Sequence, residues 1–332
     1  MKRFSGSRVL GFSGRVLGFW VLGFWVLGFL VLGFSVPLSA HELAATAAHE
    51  WTWDPLVIVP LVASCAFYAA GIRALWRHAG VGHGIAGWEA SSFVAGHAVM
   101  AVALLSPIAW LSQILLSVHM TQHMLLMLVA APLIMFGHPL LVWLWALRPS
   151  RRTGVMSALR SPRINWTWRA LTGPLAVFLI QGVAIWGWHL PVLYQAALRH
   201  NGVHALEHLS FVIAASLFWW GMVHGRYGRR GYGLAVVYVF LTAVYSSALG
   251  ALLTVSPSAW YNDYVVQGAR WGVDAVADQQ LAGLLMWIPA GVVFIVLGLA
   301  LFAAWLGEAD RRVELGRTQA LIRHVSEAPH AR

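Results

Sequence analysis

Two pairs of histidines repeat the same four-residue spacing inside apolar stretches of the chain. His119 and His123 lie in HMTQHMLLM, and His204 and His208 lie in HALEH. A spacing of four places both imidazoles of a pair on one face of a helix, about one turn apart. Two such pairs on facing helices would supply four ligand nitrogens to a metal ion, so the sequence predicts a metal site between these two helices.

Thioethers and further ligand groups accompany the two histidine pairs. Met120 and Met124 follow the first pair closely, His189 lies in WGWHLP, and Asp278 opens DQQLAGLLMWIP. Imidazole binds Cu(I) and Cu(II), and thioether selects the soft Cu(I) ion. We therefore predict a copper site, most favourably for Cu(I). Its candidate ligands are His119, His123, His204, His208, Asp278, His189, Met120 and Met124.

The composition is that of a protein embedded in a membrane. The chain has 332 residues, of which 59% are hydrophobic and 10% are charged, whereas soluble domains carry about 25% charged residues. The net charge of +10 is explained by loop arginines at a lipid bilayer, and we expect no nucleic-acid partner. The one cysteine, Cys65, excludes an internal disulfide and a cysteine-pair metal site.

The elements that must position the ligands are membrane-spanning helices. Seven apolar segments follow the N-terminal region, and each reaches the roughly 20 residues that one crossing needs. The fold class is therefore all-α, a polytopic membrane helical bundle of about seven transmembrane helices. The predicted spans are 55–75, 89–111, 113–136, 170–189, 203–224, 233–254 and 279–304.

Arginines give the orientation of these seven spans. If residue 41 lies outside the cytoplasm, the inner loops and the tail hold sixteen arginines, and the outer loops hold only Arg199 and Arg270. Positive residues concentrate on the cytoplasmic side. The sequence therefore predicts a cytoplasmic C-terminus and places the histidine pairs in the outer half of the membrane.

The N-terminal region resembles a targeting segment. It combines a basic start with the uncharged, VLGF-rich residues 16–40. Small residues near Ala40 favour cleavage as a signal peptide, but the apolar stretch exceeds the roughly 7–15 residues of a typical signal, which leaves a retained anchor open. The predicted organisation is a signal peptide or anchor at 1–40, an outer-face segment at 41–54, a membrane domain at 55–306 and a cytoplasmic tail at 307–332.

Several motifs together resemble the caa3-type cytochrome c oxidase assembly factors, the CtaG family of bacterial membrane proteins. The resemblance rests on HMTQHMLLMLVAAPLIMFGHP, WGWHLPVLYQAAL, VHALEHLSFVIAASLFWW and DQQLAGLLMWIP, in this order along the chain. It implies about seven spans in the bacterial inner membrane. It also implies a role in making active cytochrome c oxidase, by helping copper reach the subunits of that enzyme. The ligand roles of the individual residues remain inferences from their types and spacing.

Other functions fit parts of the same pattern. A copper transporter or tolerance protein would use the same ligands, and paired histidines also bind haem iron. HALEH matches the H-x-x-E-H motif of zinc peptidases, in which Glu207 would be the general base and Asp278 a third ligand. Intramembrane histidines also serve as hydrogen-bond partners between helices. We favour the copper-binding assembly factor, which is not an enzyme.

Overall fold

Every regular element that the computed structural model describes, within residues 50–224 and 231–327, is helical. The predicted signal or anchor segment, residues 1–40, lies outside the described residues. A π-helix, Leu125–Ala130, joins two of the α-helices. The α-helices are α1 (Pro55–Ala79), α2 (Gly87–Leu105), α3 (Pro107–Leu111), α4 (Leu116–Met124), α5 (Ala131–Phe136), α6 (Pro139–Ala146), α7 (Pro149–Arg160), α8 (Pro162–Leu171), α9 (Pro174–Trp188), α10 (Pro191–Arg199), α11 (Asn201–Val223), α12 (Tyr232–Val255), α13 (Asn262–Ala269) and α14 (Ala275–Glu327).

The number of helices that can cross a bilayer confirms the predicted fold class. Within the described part of the chain, six helical segments are long and apolar enough to cross, and α8 with α9 qualifies as a bent seventh. The axis of this pair turns by 56° at the break between the two helices. The protein is thus an all-α bundle of six to seven candidate spans.

Prolines at helix starts explain where two predicted spans are interrupted. A proline has no N–H to contribute, and it disfavours helical backbone in the residue before it. The predicted span 89–111 breaks at Pro107, and the predicted span 170–189 breaks at Pro174. The described helices that begin with proline start at Pro55, Pro107, Pro139, Pro149, Pro162, Pro174 and Pro191.

The third span occupies the centre of the bundle. It comprises α4, the π-helix and α5, from Leu116 to Phe136, and 78% of its most apolar window is buried. The corresponding fraction is 17–39% in the other five single-helix spans. The other spans expose most of their side chains on the outside of the bundle, whereas most side chains of the third span pack against protein.

The π-helix within the third span follows from Pro132. In this segment the Ala131 N–H bonds to the carbonyl of Leu126, five residues earlier. Pro132 has no N–H to offer the Met127 carbonyl in the same pattern. The indole Nε1 of Trp219 donates to that carbonyl instead, at 2.9 Å. This bond joins α11 to the middle of the third span.

Helices α12 and α14 approach each other through glycines. A Cβ added at Gly283 would lie 2.5 Å from the Gly250 carbonyl oxygen, and one at Gly250 would lie 2.7 Å from the Trp287 Cβ. Small residues let membrane helices pack backbone to backbone in this way. This close pairing places the start of α14 beside α4.

The end of the third span is anchored by a polar cluster. Glu89 Oε1 lies 3.3 Å from His138 Nε2, and His138 Nδ1 lies 2.9 Å from His224 Nε2. His138 has a left-handed backbone, with φ of 49°, where α5 turns into α6. The cluster links α2, the α5–α6 turn and the end of α11 at the end of the bundle opposite to His119.

Candidate metal centre

Three histidines and one carboxylate converge between the third span and α11. His119, His123, Glu207 and His208 each offer one ligand atom, and these atoms all lie within 4.8 Å of one another. All four side chains are buried. We refer to these four residues as the His/Glu cluster.

Helical spacing on two elements builds the His/Glu cluster. His119 and His123 lie one turn apart on α4, and Glu207 and His208 lie on the facing side of α11. The Nε2 atoms of His119 and His123 are 3.0 Å apart, and each lies 3.8 Å from a Glu207 carboxylate oxygen. Tetrahedral ligation at 2.0–2.2 Å separates ligand atoms by about 3.3–3.6 Å. The separations among His119, His123 and Glu207 bracket this range.

Several buried polar atoms of the cluster have no hydrogen-bond partner. Both carboxylate oxygens of Glu207 are buried without one, as are His208 Nε2 and His123 Nδ1. Buried polar atoms are nearly always paired, because an unpaired group loses its hydration without compensation. A metal cation would satisfy the carboxylate and the imidazoles together, so these residues fit a metal.

A tyrosine fixes the proton on His119. The Tyr264 hydroxyl donates to the Ser112 carbonyl at 2.8 Å, so its oxygen accepts the Nδ1–H of His119 at 2.8 Å. The Nε2 atom of His119 therefore carries a lone pair directed into the cluster. Orienting a ligand histidine through its other ring nitrogen is typical of metal sites.

The proton of His123 has to move when a metal binds. Since His119 Nε2 is an acceptor, His123 Nε2–H donates to it across 3.0 Å in the metal-free protein. A metal-bound His123 Nε2 cannot keep this proton, which would shift to the unpartnered Nδ1. The geometry can therefore deliver two Nε2 lone pairs to one ion.

Three tyrosines close the end of the bundle above the cluster. Tyr194 on α10 stacks on Tyr261 with ring centroids 4.1 Å apart, and its hydroxyl lies 3.3 Å from that of Tyr264. At the rim, Arg199 forms a two-bond ion pair with Asp263, at 2.9 Å for each bond, and this contact raises the pKa of the Arg199 guanidinium. Helices α10 and α13 thus form a cap over the site.

The other predicted ligands are not among the four residues whose ligand atoms lie within 4.8 Å of one another. His204 is nevertheless adjacent to them: its ring centroid lies 5.3 Å from that of His119 and 4.3 Å from that of His208, and its Nε2 atom is buried without a hydrogen-bond partner. His189 faces Met120, with His189 Nε2 at 3.4 Å from the Met120 sulfur. Met124 is buried against the same cavity as these two residues. The predicted single site therefore resolves into a His/Glu cluster and a neighbouring His–Met contact.

Asp278 lies at the start of α4 and not among the cluster ligands. Its carboxylate accepts the backbone N–H of Leu116 at 2.6 Å and that of Ser117 at 3.4 Å, and it also accepts the Ser117 hydroxyl. A carboxylate that accepts N–H groups at a helix start stabilises the exposed end of that helix. Asp278 thus positions the helix that carries His119 and His123, and its oxygens are already engaged.

The sequence analysis named Asp278 rather than Glu207 as a copper ligand, and it did not identify the tyrosines near the His/Glu cluster. The HALEH spacing places Glu207 three residues after His204 and next to His208. This spacing could have placed Glu207 on the ligand face of α11. Nothing in the local sequence of Tyr264 indicates a contact with His119, 145 residues away.

Fold and site together define a polytopic helical membrane protein with a buried cluster of metal-ligand type. The profile of the family described as Cytochrome c oxidase caa3 assembly factor (Caa3_CtaG) matches residues 66–308. This match covers more than half of the chain and includes the whole His/Glu cluster. The chain belongs to this cytochrome c oxidase assembly factor family.

Curated relatives come from mycobacteria. The chain is 26% identical over 278 residues to the uncharacterized protein Mb0105 of Mycobacterium bovis, and equally to the uncharacterized protein MT0111 of Mycobacterium tuberculosis. It is 22% identical over 276 residues to the uncharacterized protein ML1998 of Mycobacterium leprae. Each match covers 79% of this chain and 40% of the relative, so the chain spans less than half the length of these relatives. No solved structure matches the chain.

Proposed function

We propose that this protein binds a copper ion at His119, His123, His208 and Glu207 and hands it to cytochrome c oxidase during assembly of that enzyme. The family supports the assembly role. The observation that carries the metal proposal is the convergence of four buried ligand groups, among which both Glu207 oxygens and His208 Nε2 have no hydrogen-bond partner. On this proposal copper is cargo, and the protein is not an enzyme.

The donor set supports binding rather than hydrolysis. In a zinc peptidase with the H-x-x-E-H motif, both histidines of the motif are ligands and the glutamate stays free as a base. Here the four residues whose ligand atoms lie within 4.8 Å of one another are Glu207, His208 and two histidines from α4, and His204 is not among them. Glu207 therefore occupies a ligand position, which favours metal storage and transfer.

We infer that the cluster lies in the outer half of the bacterial inner membrane. The third span begins with the cluster and ends before the arginine-rich helices α7 and α8. Arginine-rich loops stay in the cytoplasm, so the start of this span faces outward. This orientation puts the C-terminus in the cytoplasm and the cluster on the side from which copper would reach oxidase subunits. A C-terminal reporter that is active only in the cytoplasm should be active, and an inactive reporter would reverse the orientation.

Metal analysis of purified protein tests the binding step. Wild type loaded with copper and washed should retain about one ion per chain more than the His119→Ala/His123→Ala variant, because a closed four-ligand site holds one ion. His83, an exposed histidine in the loop after α1, supplies the control variant His83→Ala, which should retain copper. Equal copper in wild type and the double variant would contradict the proposal.

Oxidase activity tests the delivery step. In cells that lack this protein, the copper content and activity of cytochrome c oxidase should fall, and the wild-type gene should restore both. The Glu207→Gln variant keeps nearly the same shape and loses the charge, so it should bind copper weakly and restore little activity. Full restoration by a variant that binds no copper would show that assembly depends on protein contacts alone.

A further inference from the structure

His189 Nε2 and the Met120 sulfur are in contact, but neither atom carries a hydrogen that it could donate to the other. His189 Nδ1 lies 2.6 Å from the Ile185 carbonyl oxygen, so this nitrogen carries the proton and donates it. The Nε2 atom therefore presents a lone pair to the Met120 sulfur at 3.4 Å. Thioether sulfur cannot donate a hydrogen bond. A cation placed between these two buried acceptors would bind a lone pair of each.

The spacing of these two atoms suits one ion bound to both. With metal–nitrogen and metal–sulfur bonds of about 2.05 and 2.3 Å, a nitrogen–sulfur separation near 3.4 Å corresponds to an angle at the metal of about 100°. This value is close to the tetrahedral angle. His189 and Met120 can therefore bind an ion together without moving apart.

A methionine-lined cavity continues from this contact into the bundle. It offers about 30 Å³ to the centre of a water-sized sphere, and its wall includes Met124, Met127 and Met286 besides Met120. That space exceeds the roughly 10–15 Å³ that one water needs, so one ion fits. The Gln181 side-chain oxygen is buried in the wall without a hydrogen-bond partner.

The cavity is adjacent to the His/Glu cluster but chemically different from it. His123 belongs to the cluster and also lines the cavity, and its ring centroid lies 6.5 Å from that of His189. The cluster offers imidazole and carboxylate, whereas the cavity offers imidazole and thioether. Thioether selects Cu(I) over harder divalent ions, so the two positions differ in the ions that they accept.

We propose that Met120 and His189 form a second metal position that is specific for Cu(I), with the methionines of the cavity as its further sulfur ligands. Copper passes between this position and the His/Glu cluster through His123. The transfer step rests on the proposed function above, while Cu(I) binding at the second position does not depend on it.

Copper K-edge X-ray absorption of the full-length protein in detergent tests the second position. Cu(I)-loaded wild type should show sulfur scattering at about 2.3 Å. Met120→Leu conserves the side-chain volume and should lose the share of this scattering that the Met120 sulfur contributes. Its Cu(I) affinity, measured by competition with a Cu(I) chelator, should fall at least about tenfold, the lower limit for disturbing the surroundings of a metal.

Two further variants show whether a loss of Cu(I) binding reflects the second position or a loss of folding. His189→Gln should reduce Cu(I) affinity in the same way. Met135 is a buried methionine of the third span outside the cavity wall, so Met135→Leu should bind Cu(I) like wild type. Unchanged sulfur scattering in Met120→Leu, or equal Cu(I) affinity in all three variants, would overturn the second position.

Co(II) separates this proposal from the proposed function. As a harder divalent ion it should bind the His/Glu cluster, and its visible spectrum should be the same in wild type and Met120→Leu but absent from His119→Ala/His123→Ala. If wild type binds no Co(II) and yet shows sulfur-ligated Cu(I), the cluster proposal fails and the second position stands. If Co(II) binds but Cu(I) shows only nitrogen and oxygen neighbours, the second position fails and the cluster stands.

Discussion

Replacing Tyr264 by phenylalanine should weaken metal binding at the His/Glu cluster, although the Tyr264 hydroxyl is not itself a ligand. The hydroxyl donates to Ser112 at 2.8 Å, accepts from His119 at 2.8 Å and lies 3.3 Å from the Tyr194 hydroxyl. Phenylalanine retains the ring that packs against Tyr194 and Tyr261 within the cap. The substitution therefore removes the group that holds His119 in the tautomer with a free Nε2.

The expected fall in metal affinity follows from the loss of the group that orients a ligand histidine. Removing such a partner typically costs 10–100-fold in metal affinity, which is about 1.4–2.8 kcal/mol. The Nδ1–H of His119 and the Ser112 carbonyl would both be buried without partners, and each such group costs about 1–3 kcal/mol of folding free energy. A modest fall in the thermal midpoint should accompany the loss of affinity.

Titration with Co(II), followed by its visible spectrum, measures this effect in detergent-solubilised protein. Tyr232 lies at the exposed start of α12, so Tyr232→Phe serves as a control that should bind like wild type. Equal metal affinity in Tyr264→Phe and wild type would refute the reasoning that the hydroxyl orients His119. Weaker binding with an unchanged thermal midpoint would show that orientation, and not folding, carries the effect.

Four further substitutions test the contacts around the site, each by thermal unfolding in detergent. Asp278→Asn removes the charge that accepts the bonds at the start of α4 and should destabilise the protein by about 1.5–3 kcal/mol, as for other bonds to charged groups; a neutral result would contradict its capping role. Gly283→Leu should separate α12 from α14 and lower the thermal midpoint strongly, because its Cβ would lie 2.5 Å from a backbone oxygen. Trp219→Phe leaves the Met127 carbonyl without its indole donor and should cost at least about 1–3 kcal/mol. By contrast, Arg199→Ala breaks an exposed ion pair and should leave the thermal midpoint nearly unchanged.

Much of the architecture was readable from local patterns in the sequence. Apolar runs of membrane length predicted the spans, and helical periodicity placed His119 beside His123, because both properties depend only on residues close in the chain. The proline positions also explain why two predicted spans break, although the prediction treated each as continuous. The sequence alone thus identified both elements that carry the site.

Only the tertiary structure decided which groups meet between these elements. The rotation of α11 against the third span brings Glu207 into the His/Glu cluster, while the start of α14 directs Asp278 to the backbone of α4. Tyr264 reaches His119 across 145 residues of sequence. Such contacts depend on how helices rotate and pack, which is fixed by side-chain fit over the whole bundle. Composition and spacing therefore determined that this protein is a histidine-bearing helical membrane protein, and packing determined that its candidate ligand groups fall into a His/Glu cluster and an adjacent His–Met contact.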